Sequence, residues 1–375
     1  MKRLWITGGL VWAAMLLVVW KGGGLAESAG LPAPHLIAGL VVGLVVALSG
    51  LARRGGVVVP PLGYTAAQAV TGVLLGTYFN PASLAALGGG WLPILGVMVA
   101  TLAVSVGAGV LLARLTGLDP ATAALGMVAG GSAGIVATSE SLAADGRLVA
   151  FMQYLRLLLV VLSAPLLVRF LLAPSGHYDA LGPREIEATG SVLTNGLFTV
   201  GVAAVGAWAA LRLRIPAGAL IGPLVLGAVL SLVDPFQGLT SPELLRETAF
   251  IVIGLQVGLR FDPATVRRAG RLTPPILGMV VALIVACAVL GWGLSHLAHV
   301  NLLTAYLATT PGGINAVMVV AFASGANTSL VFAVQTLRLF LMVLAAPPLV
   351  RWLVRRQTSR GSAPLAQPAG DLVEW

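Results

Sequence analysis

The chain has 375 residues, of which 58% are hydrophobic and only 9% are charged. A soluble domain is about a quarter charged, so this composition excludes a soluble enzyme or a soluble DNA-binding module and predicts an integral membrane protein. The net charge of +9 comes from basic residues scattered between apolar runs and in the C-terminal tail. We interpret most of them as topology signals rather than as a nucleic-acid surface.

The apolar runs are continuous and about 20 residues long, the length of a membrane-spanning helix. In the first half they cover residues 4–20, 31–50, 62–79, 91–113, 120–143 and 148–170. In the second half they cover residues 191–211, 216–233, 244–259, 273–297, 302–323 and 329–353. The predicted fold class is an all-α polytopic membrane protein with repeats at 1–172 and 191–353, a linker at 173–190 and a polar tail at 354–375.

The N-terminal segment has two interpretations. Lys2 and Arg3 followed by an apolar run resemble a signal peptide, with Ala26 to Ser28 as a cleavage site. The segment also has a positional counterpart at residues 191–211. This counterpart favours a retained transmembrane helix.

An internal repeat extends over nearly the whole chain. With an offset of 182 residues, "GTYFNPASL" from Gly76 aligns with "GLRFDPATV" from Gly258. Residues 148–169 align with 330–351, and 14 of 22 positions are identical. Near the front the offset is 184, and "PAPHLIAGLVVG" aligns with "PAGALIGPLVLG".

The basic residues favour an inverted arrangement of the two halves. Twelve crossings would place the arginines around residues 212–214 and 267–271 outside the cell, against the positive-inside rule. Both arrangements are compared with a cytoplasmic N-terminus. If the fifth segment of each half enters and leaves on one side, these arginines become cytoplasmic, and only Arg169 and Arg184 lie outside. Five crossings per half then relate the halves as inverted repeats.

The fifth segments contain the glycine pairs Gly130-Gly131 and Gly312-Gly313. Glycine accepts the backbone angles of a tight tip, and Pro311 ends the preceding half-helix. Two glycine-tipped re-entrant hairpins predict a central cavity. The alternative is that the glycines only allow close packing of helices.

Arg156 and Arg338 lie midway along the last segment of each half, where a charge is costly unless it is paired or faces water. Gln153 and Gln335 precede them by three residues and share their helical faces. One hypothesis is that these residues bind an anionic substrate, because guanidinium matches a carboxylate. The other is that each arginine holds backbone carbonyls of the neighbouring hairpin.

The hairpin tips offer backbone N–H groups that attract anions, and Ser132 and Asn315 add side-chain hydrogen bonds. Glu140 is the carboxylate inside the first hairpin, and its repeat counterpart is Phe322. It is a candidate for proton or ion coupling, or for pairing with an arginine. Asp119 and Asp145 lie at segment ends and are expected to be capping or topology residues.

No metal, cofactor or catalytic site is expected. The four histidines have no metal-ligand pattern, since His296 and His299 have helical spacing but no third ligand nearby. Tyr64 and Gln68 face either the cavity or a neighbouring helix.

The paired "GTYFNP" and "GLRFDP" turns, the "GGSAG" and "PGGIN" tips and the two Gln–Arg helices resemble the AbrB-duplication membrane family of bacteria. Its members are often labelled as regulators of gene expression or as ammonia monooxygenases. The resemblance implies a multi-pass inner-membrane protein. More loosely, the two halves resemble carriers of the cation/proton antiporter superfamily, a fold-level analogy.

These observations predict a secondary transporter of a small anionic metabolite, working by alternating access with protons or sodium. The alternative is a membrane sensor that regulates gene expression without transport. An oxygenase is disfavoured because no metal-ligand cluster is present in the sequence. The expected partners are the lipid bilayer, the substrate and the coupling ion, with no nucleic acid, and a homodimer is compatible with this architecture.

Overall fold

The computed structural model describes residues 2–31, 33–52, 56–78, 91–128, 144–168, 191–215, 217–232, 239, 241–261 and 263–361. All regular structure in these ranges is helical, and no strand occurs within them. The all-α prediction is therefore confirmed. Gly130, Gly131, Ser132, Glu140 and the predicted linker lie outside the described residues.

The helices follow the predicted apolar segments. In the first half they are α1 (Lys2–Ser28), α2 (Pro34–Leu48), α3 (Pro61–Thr77), α4 (Trp91–Thr116), α5 (Pro120–Met127) and α6 (Gly146–Leu167). In the second half they are α7 (Val192–Arg212), α8 (Gly218–Leu230), α9 (Glu243–Gly258), α10 (Pro263–Ala269), a 3₁₀ turn (Gly270–Leu272), α11 (Thr273–Leu297), α12 (Leu302–Thr309), α13 (Ile314–Ala323) and α14 (Thr328–Gly361).

Two elements differ from the prediction. The short helix α10 occupies a stretch that the hydropathy pattern left as a loop. The hydropathy signal is weak there because the sequence of α10 contains two arginines. Helix α14 continues to Gly361 and so extends into the predicted polar tail. A helix with polar side chains leaves no hydropathy signal at its end.

In the part of the chain that the structure describes, four helices are long and apolar enough to cross a membrane by length and composition: Trp91–Thr116, Gly146–Leu167, Val192–Arg212 and Gly270–Leu297. Their outward faces are apolar. Val281, Val285 and Val289, spaced one turn apart on α11, are all exposed. Such a stripe is unfavourable in water and favourable in lipid, as expected for a membrane protein.

The two halves interlock through glycines. On α9, Gly254 and Gly258 lie against the carbonyl oxygens of Leu36 and Leu40 on α2. No side chain fits there, because an added methyl group would meet backbone atoms. This small-residue spacing is the one that lets membrane helices approach closely.

The same contact recurs with the halves exchanged. On α3, Gly72 and Gly76 lie against the carbonyl oxygens of Leu220 and Leu224 on α8. These glycines align with those of α9 at the 182-residue offset, and Leu36 and Leu40 align with Leu220 and Leu224 at the 184-residue offset. The third helix of each half thus packs on the second helix of the other half.

Packing divides the helices into two groups. The first helix group is α1, α2, α3, α7, α8 and α9, and the second helix group is α4, α5, α6, α11, α12, α13 and α14. Contacts within each group are extensive. Among the described residues, the main contacts between the groups are fewer and are made by α6 and α13 with α2, α3 and α9.

Candidate functional site

The fifth apolar segment of the second half is broken where the sequence places Pro311 and the glycine pair. Helix α12 ends at Thr309 and α13 begins at Ile314. In the first half, α5 ends at Met127 and α6 begins at Gly146, and the predicted tip between them lies outside the described residues. Residues 120–143 and 302–323 are called here the first and second broken segments.

The end of α5 is held by α6. Gln153 Nε2 donates hydrogen bonds to the carbonyl oxygens of Leu125 (2.7 Å) and Val128 (2.9 Å). Arg156 Nη1 donates to the same Val128 oxygen (2.8 Å) and to that of Met127 (3.3 Å). Arg156 Nη2 also donates to Gln153 Oε1 at 2.7 Å, which fixes the two side chains together.

The second half repeats this arrangement residue by residue. Gln335 Nε2 donates to the carbonyl oxygens of Leu307 and Thr310, at 2.8 and 3.3 Å. Arg338 Nη1 donates to those of Thr310 (2.6 Å) and Thr309 (3.2 Å), and its Nη2 reaches Gly312 O at 3.2 Å and Gln335 Oε1.

These contacts satisfy carbonyl groups that a helix end leaves without partners. The last carbonyl groups of α5 and α12 have no N–H donor within their own helix, because the helix ends there. Each helix C-terminus also carries a partial negative charge. Arg156 and Arg338 are 4% and 3% exposed, so both charges are buried against these carbonyls. The geometry matches the carbonyl-holding hypothesis for the two arginines. Each Nε–H has no hydrogen-bond partner among the described residues.

Each broken segment ends close to where it begins. The backbone N–H of Asn327, after α13, donates to Thr304 Oγ1 near the start of α12 at 3.1 Å. In the first half, the N–H of Asp145 donates to Thr122 Oγ1 at 3.0 Å. A helix crossing straight through would separate such residues by about 30 Å.

The expected caps are present. Asp119 accepts the N–H of Thr122 at the start of α5, and Asp145 accepts those of Arg147 and Leu148 at the start of α6. Asn301 and Asn327, their counterparts in the repeat, cap α12 and α14. The capping role predicted for the two aspartates is confirmed.

The two broken segments approach α6 from opposite ends. The first contacts its N-terminal half, through Asp145 and Gln153. The tip of the second lies farther along, where a methyl group built on Gly313 would be 3.0 Å from Leu157 Cδ1 and one on Gly312 would be 2.8 Å from Val160 Cγ1. Helix α12 extends from this tip toward the C-terminal end of α6, since Tyr306 lies beside Ser163.

A polar cluster that the sequence analysis did not assemble lies between the two helix groups. Arg260, just after α9, donates from Nη1 to the hydroxyl of Tyr154 on α6 at 2.7 Å and lies 5.0 Å from its ring centre. Asn315, at the tip of the second broken segment, donates from Nδ2 to the hydroxyl of Tyr64 on α3 at 3.1 Å. Helix α13, which carries Asn315, contacts both α6 and α9, so the two pairs lie close together. These four residues are called here the Arg260 cluster.

One signal could have found Arg260. It replaces, in "GLRFDP", the tyrosine that "GTYFNP" has at Tyr78, so the halves differ in charge within their most similar turn. Tyr78 instead packs edge-on against Phe322, with ring centres 4.9 Å apart. Tyr64 lies in the cluster, which favours the cavity alternative for it, while Gln68 makes no contact that assigns it a role.

A second polar site lies within the first helix group. A cavity of about 730 Å³ there is lined by residues of α1, α2, α7 and α9 and the turn before α9, including Glu27, His35, Asn195 and Glu247. His35 Nδ1 lies 2.8 Å from Glu247 Oε2, in a contact that lacks the alignment of a hydrogen bond. None of the lining residues belongs to the broken segments, α6 or α14, so we do not assign this cavity to the candidate site.

In the described part of the chain, no group of three or more His, Cys, Asp or Glu side chains could hold a metal ion. The polar atoms that converge on the tips are guanidinium, amide and phenol groups and backbone carbonyls. Arginine cannot act as a metal ligand or a proton carrier at ordinary pH. The donors in this set, the guanidinium, amide N–H and phenol O–H groups, are of the kind that binds an anion by hydrogen bonds.

Comparison with known proteins gives a consistent family assignment. Residues 51–354 match the family described as "Transition state regulatory protein AbrB". The chain is 39% identical over 256 residues to the "Putative regulator AbrB" of Escherichia coli (strain K12), covering 68% of this chain and 72% of that protein. It is 26% identical over 274 residues to the "Uncharacterized protein YhjN" of Bacillus subtilis (strain 168), covering 68% and 69%. With its two arginine-held broken segments inside the matched region, the chain belongs to the AbrB family.

Proposed function

We propose that this protein is a secondary active transporter that moves a small anionic metabolite across the bacterial inner membrane by alternating access, coupled to protons or sodium. The observation that carries the proposal is the pair of broken segments, each held by the Gln–Arg pair of the following helix. Non-helical backbone at membrane depth is tolerated only where protein buries it or it lines a watery cavity. In transporters such breaks form the substrate site.

The proposed arrangement in the membrane is an inverted repeat with five crossings and one re-entrant hairpin per half. Two observations support it. The Thr304–Asn327 and Thr122–Asp145 hydrogen bonds bring the two ends of each broken segment together. The segments also approach α6 from opposite ends, as hairpins entering from opposite sides of a membrane would. The N-terminus is then cytoplasmic.

We assign the substrate to the region of the two tips. Gly312, Gly313 and Asn315 belong to it in the second half, and Gly130, Gly131 and Ser132 complete it in the first. The Gln–Arg pairs hold the tips in place, and the Nε–H of each arginine, which has no hydrogen-bond partner among the described residues, is the donor that we assign to direct contact with an anion. Unchanged ligand affinity in Arg156→Gln and Arg338→Gln proteins would overturn direct contact and leave the holding role.

The proposal is tested by flux. Purified protein in proteoliposomes is offered radiolabelled carboxylates, phosphate and sulfate under an inward gradient of protons or of sodium. We expect uptake of one anion that depends on one gradient and is absent from protein-free liposomes. A Glu140→Gln protein tests the proposed coupling role, since unaltered gradient dependence would remove it.

The second candidate function is a membrane sensor that regulates gene expression without transport. The name of the Escherichia coli relative favours it. Such a protein would bind an anion without moving it, so binding together with zero flux in the same preparation would replace the transport proposal. Neither function requires an enzymatic reaction.

A further inference from the structure

Arg260 occupies an unusual place for a charge. Its partner Tyr154 is adjacent to Gln153 on α6, so the guanidinium reaches the depth at which the tips are held. Arg260 is nevertheless exposed, unlike the buried Arg156 and Arg338. A charge at that depth is stable only beside water, a counter-ion or a polar partner. Among the described residues no carboxylate pairs with it.

The groups around Arg260 are hydrogen-bonding groups without charge. Tyr154 orients the guanidinium through one hydrogen bond and through its ring. Tyr64 and Asn315 are joined to each other, and Asn315 Oδ1 has no partner among the described residues. The cluster therefore offers an anion one positive charge and two phenol O–H donors, since the oxygens of Tyr154 and Tyr64 already accept hydrogen bonds. The unused Asn315 oxygen is an acceptor and does not contribute to binding a carboxylate.

Helix α13 adds a second attraction for an anion. Asn315 is its second residue, and its N-terminal cap, Gly313, has no side chain to accept the first N–H groups. A helix N-terminus carries a partial positive charge and free N–H groups. The C-terminal carbonyls of α12 at the same tip are already occupied by Arg338 and Gln335. At this tip the partial negative charge of the α12 C-terminus is therefore balanced by Arg338, whereas the partial positive charge of the α13 N-terminus has no side-chain cap.

We propose that the Arg260 cluster binds the carboxylate of a small monoanionic substrate at the boundary between the two helix groups. This deepens the proposed function, on which it rests, by naming a further residue that contacts the anion and the chemical class of the ligand. One guanidinium offers two parallel hydrogen bonds to one carboxylate and balances one charge. Because Tyr154 and Asn315 belong to the second group and Arg260 and Tyr64 to the first, the ligand joins groups that are otherwise in limited contact.

The test uses purified full-length protein and defined probes: acetate, lactate and pyruvate as sodium salts, against phosphate and sulfate. Binding is measured as a shift in thermal unfolding and as a Kd. We expect a carboxylate to bind, Arg260→Gln to weaken its Kd about 10- to 100-fold, the loss of a charged hydrogen-bond pair, and Arg260→Lys to lose less. Arg212→Gln, which removes an exposed arginine beside Trp208, is the control and should bind normally.

A positioning role for Tyr154 has its own readout. Tyr154→Phe removes the hydroxyl that accepts from Arg260 and keeps the ring beneath it. We expect weaker binding of the carboxylate with an unchanged unfolding temperature in its absence. A purely structural role would lower that temperature instead.

The outcomes separate the two proposals. Equal affinity in Arg260→Gln and wild-type proteins, binding of phosphate or sulfate alone, or no binding of any carboxylate overturns the carboxylate site. Carboxylate uptake that survives Arg260→Gln also overturns it while leaving transport standing. Binding that requires Arg260 without uptake in proteoliposomes keeps the site and overturns transport.

Discussion

Arg156 and Arg338 stabilise the fold by donating hydrogen bonds to backbone carbonyl groups. Removing either side chain leaves those carbonyl groups without partners. We expect Arg156→Gln and Arg338→Gln each to destabilise the protein, because each buried group left unpaired costs about 1–3 kcal/mol. Thermal unfolding of the purified protein measures the loss. Arg147→Gln, an exposed arginine on the same helix as Arg156, is the control. An unfolding temperature equal to that of the control would contradict this stabilising role.

The His35–Glu247 pair gives a second prediction, and Glu243, one turn earlier on the same helix, provides the control. Glu247 also contacts Arg246 Nε at 3.0 Å and is 15% exposed, whereas Glu243 contacts Arg246 at 3.3 Å and is 81% exposed. We expect Glu247→Gln to lower stability by about 1–3 kcal/mol and Glu243→Gln to change it little, since exposed ion pairs contribute about 0–1 kcal/mol. The measurement is thermal unfolding of both variants. Equal losses of stability would count against a stabilising role for the His35–Glu247 pair.

At the scale of helices, the glycine contacts predict a matched pair of effects. An alanine methyl group at Gly254 or Gly72 would meet a backbone carbonyl, Leu36 O or Leu220 O. We expect both substitutions to destabilise by about 1–3 kcal/mol through overpacking. Gly278→Ala on α11 has open space around it and should be neutral. If only one of the two glycines were sensitive, the equivalence of the two helix pairs would be contradicted.

Much of this architecture could be predicted from the sequence. The continuous apolar runs gave the helix positions, and the 182-residue offset identified Gln153, Arg156 and their counterparts as one repeated unit. The same pattern could not decide what the arginines bind. A guanidinium is equally suited to a carboxylate and to backbone carbonyls, and the choice depends on which atoms the fold brings within reach.

The Arg260 cluster shows a second limit of prediction. Tyr64, Tyr154, Arg260 and Asn315 lie on four elements from both halves, and no spacing along the chain relates them. They meet because α6 and α13 of the second helix group face α3 and α9 of the first. Helix α10 was missed for a local reason, since its two arginines remove the apolar signal while its helical propensity remains.

For the whole molecule, limited contact between two extensively packed groups suits a rigid-body motion. A change of position between them would alter the access to a site at their boundary without disturbing the glycine-packed helix pairs, which lie within the first group. The interactions at that boundary are then the ones that ligand binding changes. In the transport function that we propose, this motion is the one that would provide alternating access.

The proposed inverted arrangement makes a prediction about sidedness. In a Cys287→Ala background, cysteines replace Leu115 and Arg147, which flank the first broken segment, and Leu297 and Asn327, which flank the second; all four positions are exposed. We expect a membrane-impermeant thiol reagent added to intact cells with a permeable outer layer to label Leu297→Cys and Asn327→Cys. Leu115→Cys and Arg147→Cys should react only after the inner membrane is opened. If each segment crossed the membrane instead, its two flanking positions would lie on opposite sides. Labelling of one member of each pair would therefore reject the re-entrant hairpins and make the two halves parallel.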